Sequence, residues 1–138
     1  MRISPEIEAA RQAGSAMVAL ESTLISHGLP HPDNIEVARS AEAAVRDAGA
    51  VPATMAVRDG VAHVGLDDDV INRLATASGV VKLSRRDLPV ALSGASTMPA
   101  VGATTVSATM ILAHQAGIPV FATGGIGEIG RASCRERV

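Results

Sequence analysis

The sequence predicts an α/β fold, a layered α/β/α arrangement with a mostly parallel sheet and one β-hairpin. Three observations point there. Short apolar runs of β-type residues alternate with longer stretches of helical periodicity. The apolar residues are Ala, Val, Ile and Leu, with no Trp or Tyr and with Phe121 as the sole aromatic, which suits helices packed closely on buried parallel strands. One strand-like run, Met17 to Leu20, empties directly into Glu21, Ser22, Thr23, Ser26 and His27. Sheets of this class present their chemistry in that way, at the carboxyl ends of strands.

Each element has its own signal. Ser4 as N-cap and Pro5 at the first helical position open an amphipathic helix over 5–13. A strand follows over 16–21. Asn34 reads as the N-cap of a helix over about 35–48, with Val37, Ala41, Ala44, Val45 and Ala48 on one face and Gly49 as the stop. Thr54 to Val57 and Val61 to Val64 are β-type runs around Asp59-Gly60, a strong hairpin signal. Asp67, Asp68 and Asp69 suit the positive end of a helix over about 68–77.

Val80 to Ser84 reads as a strand ending in the polar run SRRDLP, and Val90 to Gly94 as another short strand or extended segment. Gly102 and Ala103 lead to Thr104 and Thr105, which start a helix running to about Ala116 and closed by Gly117. Val120 to Ala122 is a buried-type strand opening into a glycine-rich turn.

The 138 residues suit one domain with a real core. A net charge of −2 gives no electrostatic reason for nucleic acid or an anionic membrane as partner, and there is no aromatic platform for stacking bases. Cys134 is the only cysteine, so neither an internal disulfide nor a cysteine metal cluster is available. The first helix lacks the apolar core of a signal peptide, and no apolar run reaches membrane-span length. A soluble, cytoplasmic protein is expected.

Glu21 is the first catalytic candidate; capping or pairing with a nearby group is the competing reading. Lys82, Ser84, Arg85, Arg86 and Asp87 close a strand with cations and a hydroxyl, a set that suits a phosphate or carboxylate, although Arg with Asp87 can also simply neutralise a solvated face. Thr104 and Thr105 stand at a helix start, where backbone N–H groups and the dipole favour an anion; simple capping explains them equally. Thr123, Gly124, Gly125, Ile126 and Gly127 let backbone approach a ligand, without the spacing of a Rossmann fingerprint or a P-loop. Of the histidines only His27 has suggestive neighbours; neither HExxH nor GxSxG occurs.

From Glu128 the character changes. EIGRASCRERV is arginine-rich with neither strand nor helical periodicity, and it resembles the translation of a short-read sequencing adapter. Residues 128–138 are therefore read as a non-native tail, and Cys134 and Glu128 are given no function.

ALESTLISHGLP, GAVPATMAV, VVKLSRRDLP, GATTVSATMILA and AGIPVFATGGIG, in that order, resemble the pseudouridine-5′-phosphate glycosidases, the indigoidine synthase A-like family, from about Ser4 to Gly127. The resemblance implies reversible cleavage of the C-glycosidic bond of pseudouridine 5′-phosphate to uracil and ribose 5-phosphate. It implies a manganese-dependent enzyme, a homotrimer, in which the opened ribose is held as a Schiff base on a lysine. Glu21 matches the proton donor of that family, and Lys82 and Val106 match substrate contacts. A C–C bond has a poor leaving group, so an iminium electron sink with an acid to protonate the departing carbon suits it better than two-carboxylate hydrolysis.

The chain departs from the family at 93–101, SGASTMPAV, and before the nucleophilic lysine and the metal aspartate, which would lie beyond Gly127. Residues 1–127 thus read as the truncated front part of one catalytic domain, itself inactive. The rival class is a non-catalytic module binding a sugar phosphate or nucleotide phosphate at Thr104 and Gly124.

Overall fold

The computed structural model describes residues 1–94 and 100–126. A two-residue strand, β1 (Arg2–Ile3), leads into α1 (Pro5–Ala13). Ser4 Oγ accepts the Ile7 N–H at 3.3 Å, and Gly14, at φ +67°, closes the helix as a left-handed cap. β2 (Met17–Leu20) is followed by a π-helical turn at Leu24–Gly28 and then by α2 (Asp33–Asp47). β3 (Val51–Arg58) and β4 (Val61–Val64) form the expected hairpin; positive φ at both Asp59 (49°) and Gly60 (76°) suits the right-handed twist of the strands. α3 (Asp68–Thr76) is capped by Asp67, whose Oδ1 accepts the Val70 N–H at 2.9 Å. β5 (Val81–Leu83), α4 (Leu88–Leu92), β6 (Val101–Thr104), α5 (Val106–Gln115) and β7 (Val120–Ala122) complete the order.

β3 is the axis of the sheet. β2 runs parallel to its first half, with Leu20 opposite Thr54, and β7 lies parallel on the far side of β2. Along its second half β3 carries β4 on one edge and β6, also antiparallel, on the other, with Ala56 opposite Ala103. β5 is parallel to β6, and β1 parallel to β4. The sheet is thus mostly parallel, with the antiparallel β3–β6 pair added to the hairpin.

Alternation along β3 feeds two cores. Ala53, Met55 and Val57 join Ile7 of α1, Leu88 and Ala91 of α4, and Ala108 and Leu112 of α5. Ala56, with Val101 and Ala103 of β6, meets Ile25 of the π turn, Ala38 of α2, and Val70, Ile71 and Leu74 of α3. Helices therefore cover both faces, in three layers. Among the described residues no helix is long and apolar enough to cross a membrane.

The structure corrects several local readings. Val90 to Leu92 belong to the helix α4, because Leu88 and Ala91, three residues apart, both reach the core. Thr104 is not at a helix start; it ends the strand β6. Asn34 is not a cap outside α2 but its second residue, and it is buried. Its Nδ2 donates to Ile25 O at 2.9 Å and to Ala75 O at 3.0 Å, and its Oδ1 accepts the Ile35 N–H at 2.9 Å. Asn34 therefore pins the π turn to α2 and to the end of α3. Segment 95–99, most of the departure at 93–101, lies outside the described residues, as do Gly127 and the tail 128–138.

Two measurements test these assignments. Asn34→Ala leaves two carbonyls without their donor, and urea unfolding should show a loss of about 2–3 kcal/mol; a loss below about 0.5 kcal/mol would remove Asn34 from its pinning role. The second concerns the turn before α4. There Asp87 Oδ2 accepts the Ser84 N–H at 2.8 Å and the Ser84 hydroxyl. The Ser84 hydroxyl, helped by the Ser84 N–H and Arg86, holds the Asp87 carboxyl below its usual range against the opposing effect of burial. A depressed carboxyl contributes stability above its unfolded pKa of about 3.9 and loses it as pH falls through the folded value. Asp87→Asn should therefore lower stability at pH 7, with the gap to the parent chain closing below about pH 4. A gap independent of pH overturns that assignment.

Candidate active site

The sheet brings strand ends together head to head. β2 runs with β3 and β6 runs against it, so their carboxyl ends approach each other beside Thr54–Ala56. Ser22 and Thr104 tie the ends. The Ser22 N–H donates to Thr104 O at 3.2 Å, and the Thr104 N–H donates to Ser22 Oγ at 2.9 Å. The Thr104 hydroxyl donates to Met55 O at 2.8 Å and accepts from the Thr109 hydroxyl at 2.9 Å. Ser22, Thr104 and Thr109 are each wholly buried. Thr104, expected to face a ligand, instead spends its hydroxyl inside the protein.

Glu21 stands just above this knot, half-buried, and both of its carboxylate oxygens are held. Oε2 accepts from Thr23 Oγ1 at 3.0 Å, and Oε1 accepts from Thr123 Oγ1. Thr123 Oγ1 also lies 3.1 Å from Gly125 O and accepts the Gly125 N–H at 3.2 Å. A hydroxyl has one proton to give, and Thr123 gives it to Glu21. The capping-or-pairing alternative for Glu21 thus takes a specific form: its partners are hydroxyls, with no cation among the bonds described.

The sequence places Thr123 in a glycine turn; the structure makes it a partner of Glu21. The signal was positional. Leu20 and Ala122 face each other across β2 and β7, so Glu21 and Thr123 each follow directly after a paired strand end. His27 sits exposed in the π turn with Nδ1 at 2.6 Å from the neighbouring Ser26 Oγ.

The facing strand pair carries the remaining candidates. Lys82 of β5, half-buried, is opposite Ala103 of β6. Thr105 holds the N-cap position of α5, but its side chain makes no capping bond. Its N–H and its hydroxyl both donate to Leu83 O, each at 3.0 Å, which moors the helix start to the end of β5. The first-turn N–H groups at Val106, Ser107 and Ala108 have no acceptor within the helix, and Thr105 supplies none. Val106 is half-buried at that start, and Ser107 Oγ accepts the Arg85 N–H at 3.2 Å. Glu21 is brought together with Thr23 and Thr123; Lys82, Thr105 and Val106 are gathered at the opposite strand ends, and the Ser22–Thr104 knot lies between the two groups.

Among the described residues no three His, Cys, Asp or Glu side chains converge as a metal ion requires.

Residues 6–137 match the family model described as "Indigoidine synthase A like protein". The chain is 60% identical over 131 residues to a pseudouridine-5′-phosphate glycosidase of Rhodospirillum centenum, covering 95% of this chain and 39% of that protein. It is 54% identical over 133 residues to a pseudouridine-5′-phosphate glycosidase of Roseobacter denitrificans, covering 96% and 42%. Among solved structures it resembles the prealnumycin C-glycosynthase AlnA in complex with ribulose 5-phosphate, with a TM-score of 0.79 and 44% identity over 93% of this chain and 40% of that one. An indigoidine synthase A-like protein of Thermotoga maritima superposes with a TM-score of 0.75 at 27% identity, over 96% and 44%. The chain thus spans about two-fifths of the length of the relatives it matches. It belongs to the indigoidine synthase A-like protein family.

Proposed function

We propose that this chain is the front part of a pseudouridine-5′-phosphate glycosidase domain, which in completed form splits the C-glycosidic bond of pseudouridine 5′-phosphate to uracil and ribose 5-phosphate. The observation that carries the reading is Glu21, held at the sheet's carboxyl edge by Thr23 and Thr123 on its two separate oxygens. A carboxyl fixed in this way is aimed before substrate arrives, which is what a proton donor to a departing uracil carbon needs. Protonating that carbon as its bond to the sugar breaks lets the base leave neutral.

Lys82 and Val106 are assigned to substrate, and the start of α5 to the phosphate. Thr105 leaves the first turn uncapped, so an anion there would meet backbone N–H groups at the positive end of the helix. Thr104 contributes by position alone, through the buried knot. The lysine nucleophile and the metal aspartate are assigned to sequence after Gly127, and no step is routed through manganese in this chain. Homotrimeric assembly is carried by the family resemblance, and a cytoplasmic location is proposed as the default. The tail 128–138 is assigned as non-native, although the family match runs to residue 137; sequencing the source gene past the Gly127 codon tests this and supplies the completed chain.

The 138-residue chain alone should release no uracil from pseudouridine 5′-phosphate with manganese present; turnover would overturn the division of labour proposed here. In the completed chain Glu21→Gln should lower kcat by about 100- to 10,000-fold with KM little changed. Retained turnover removes Glu21 as the acid. Phosphate-ligand binding in a completed chain that never turns over, with or without Glu21, would favour the binding-module reading.

A further inference from the structure

The sheet face that the π turn, α2 and α3 pack against is only partly covered. α2 lies over β2 and β7 without filling the space beneath it, leaving a groove of about 530 Å3 whose lining includes Val18, Leu20, Ala41, Ala44, Val45 and Val120. Its polar residues, Glu21, Thr54 and Thr123, lie toward the carboxyl ends of the strands. Elsewhere along it an alanine stripe on α2 faces strand residues that are still accessible; Val120 is 52% exposed. Among the described residues β7 pairs with β2 alone, so its outer edge has unused N–H and C=O groups contiguous with the groove. An apolar cleft beside an unpaired strand is a surface shaped for more sheet.

We infer that this groove and the free edge of β7 are the docking surface for the remainder of the family domain, an apolar segment that adds a strand to β7 and packs its side chains against α2. Relatives extend well past the portion matched here, which covers only 39% of the Rhodospirillum centenum protein. The chain leaves β7 through Thr123 and Gly124 at the groove's own margin, so a continuation begins where the cover is needed. The 128–138 tail is a poor occupant: Glu128, Arg131, Arg135, Glu136 and Arg137 would have to enter an apolar cleft. A second copy of the chain would bring only an identical open edge and no segment to fill the space.

The test is complementation in trans. The tagged 138-residue chain is co-expressed with a separately encoded polypeptide comprising the rest of the Rhodospirillum centenum relative, and the amount that copurifies is measured. The remainder should copurify at one-to-one stoichiometry. Ala44→Glu and Val120→Glu, both at exposed positions that spare the fold, should each reduce it at least tenfold, with circular dichroism unchanged. Ala9→Glu, on the exposed side of α1, should leave it intact, as should ending the chain at Gly127. Failure to copurify overturns the inference, and so does undiminished copurification by the charged variants. A homodimer of the chain that the same variants break would assign the groove to a second copy and overturn it too. Binding is read without turnover, so the result stands apart from the role of Glu21.

Discussion

The hydrogen-bond knot of Ser22, Thr104 and Met55 is the constraint on which the rest depends. Two strands that meet end to end share no ladder, and their last backbone groups would be buried without partners. The knot satisfies them with short side chains. Ser22 Oγ takes the Thr104 N–H, the Thr104 hydroxyl takes Met55 O, and Thr109 supplies a further hydroxyl from α5. A larger or apolar residue at Ser22 or Thr104 would strand a buried polar group, at a cost of about 1–3 kcal/mol for each. Because the knot fixes both strand ends, it also fixes the distance between the Glu21 side and the Lys82 side of the site.

Above the knot, order passes outward by the same kind of bond. Thr23 and Thr123 orient Glu21, and Thr105 moors the start of α5 to β5. Hydroxyls position a carboxylate without neutralising it, whereas a lysine or arginine in the same place would hold it as an ion pair. The arrangement orients the Glu21 carboxyl through two hydroxyl donors, one on each oxygen.

Much of this was legible in the sequence because the signals were local. Ser4-Pro5, Asp67 and Asp59-Gly60 act on their immediate neighbours, and each sits where its chemistry predicts. The misreadings have long-range causes. β6 was hidden because Gly102 looks like a loop residue; the glycine is there because Leu83 of β5 packs into the space a Cβ would occupy. α4 looked extended because Val90 and Leu92 are β-type residues, and only the burial of Leu88 and Ala91 reveals its helical face. Asn34 passed for a cap because its true acceptors are 9 and 41 residues away in sequence. Glu21 stood out by type, but its partner just past the end of β7 is 102 residues on and emerges only from the strand pairing.

The composition has one more consequence, through Phe121. This single aromatic lies in β7, packed against the core that α1, α4 and α5 share with the sheet. With no Trp or Tyr, the protein is nearly transparent at 280 nm, and its intrinsic ultraviolet fluorescence is confined to the weak emission of one phenyl ring. The fine structure of its near-ultraviolet circular dichroism, at the short wavelengths where phenylalanine absorbs, therefore comes from a single place: the outermost strand beside Glu21. Nature has labelled one strand of this sheet, and labelled it where the fold stands open.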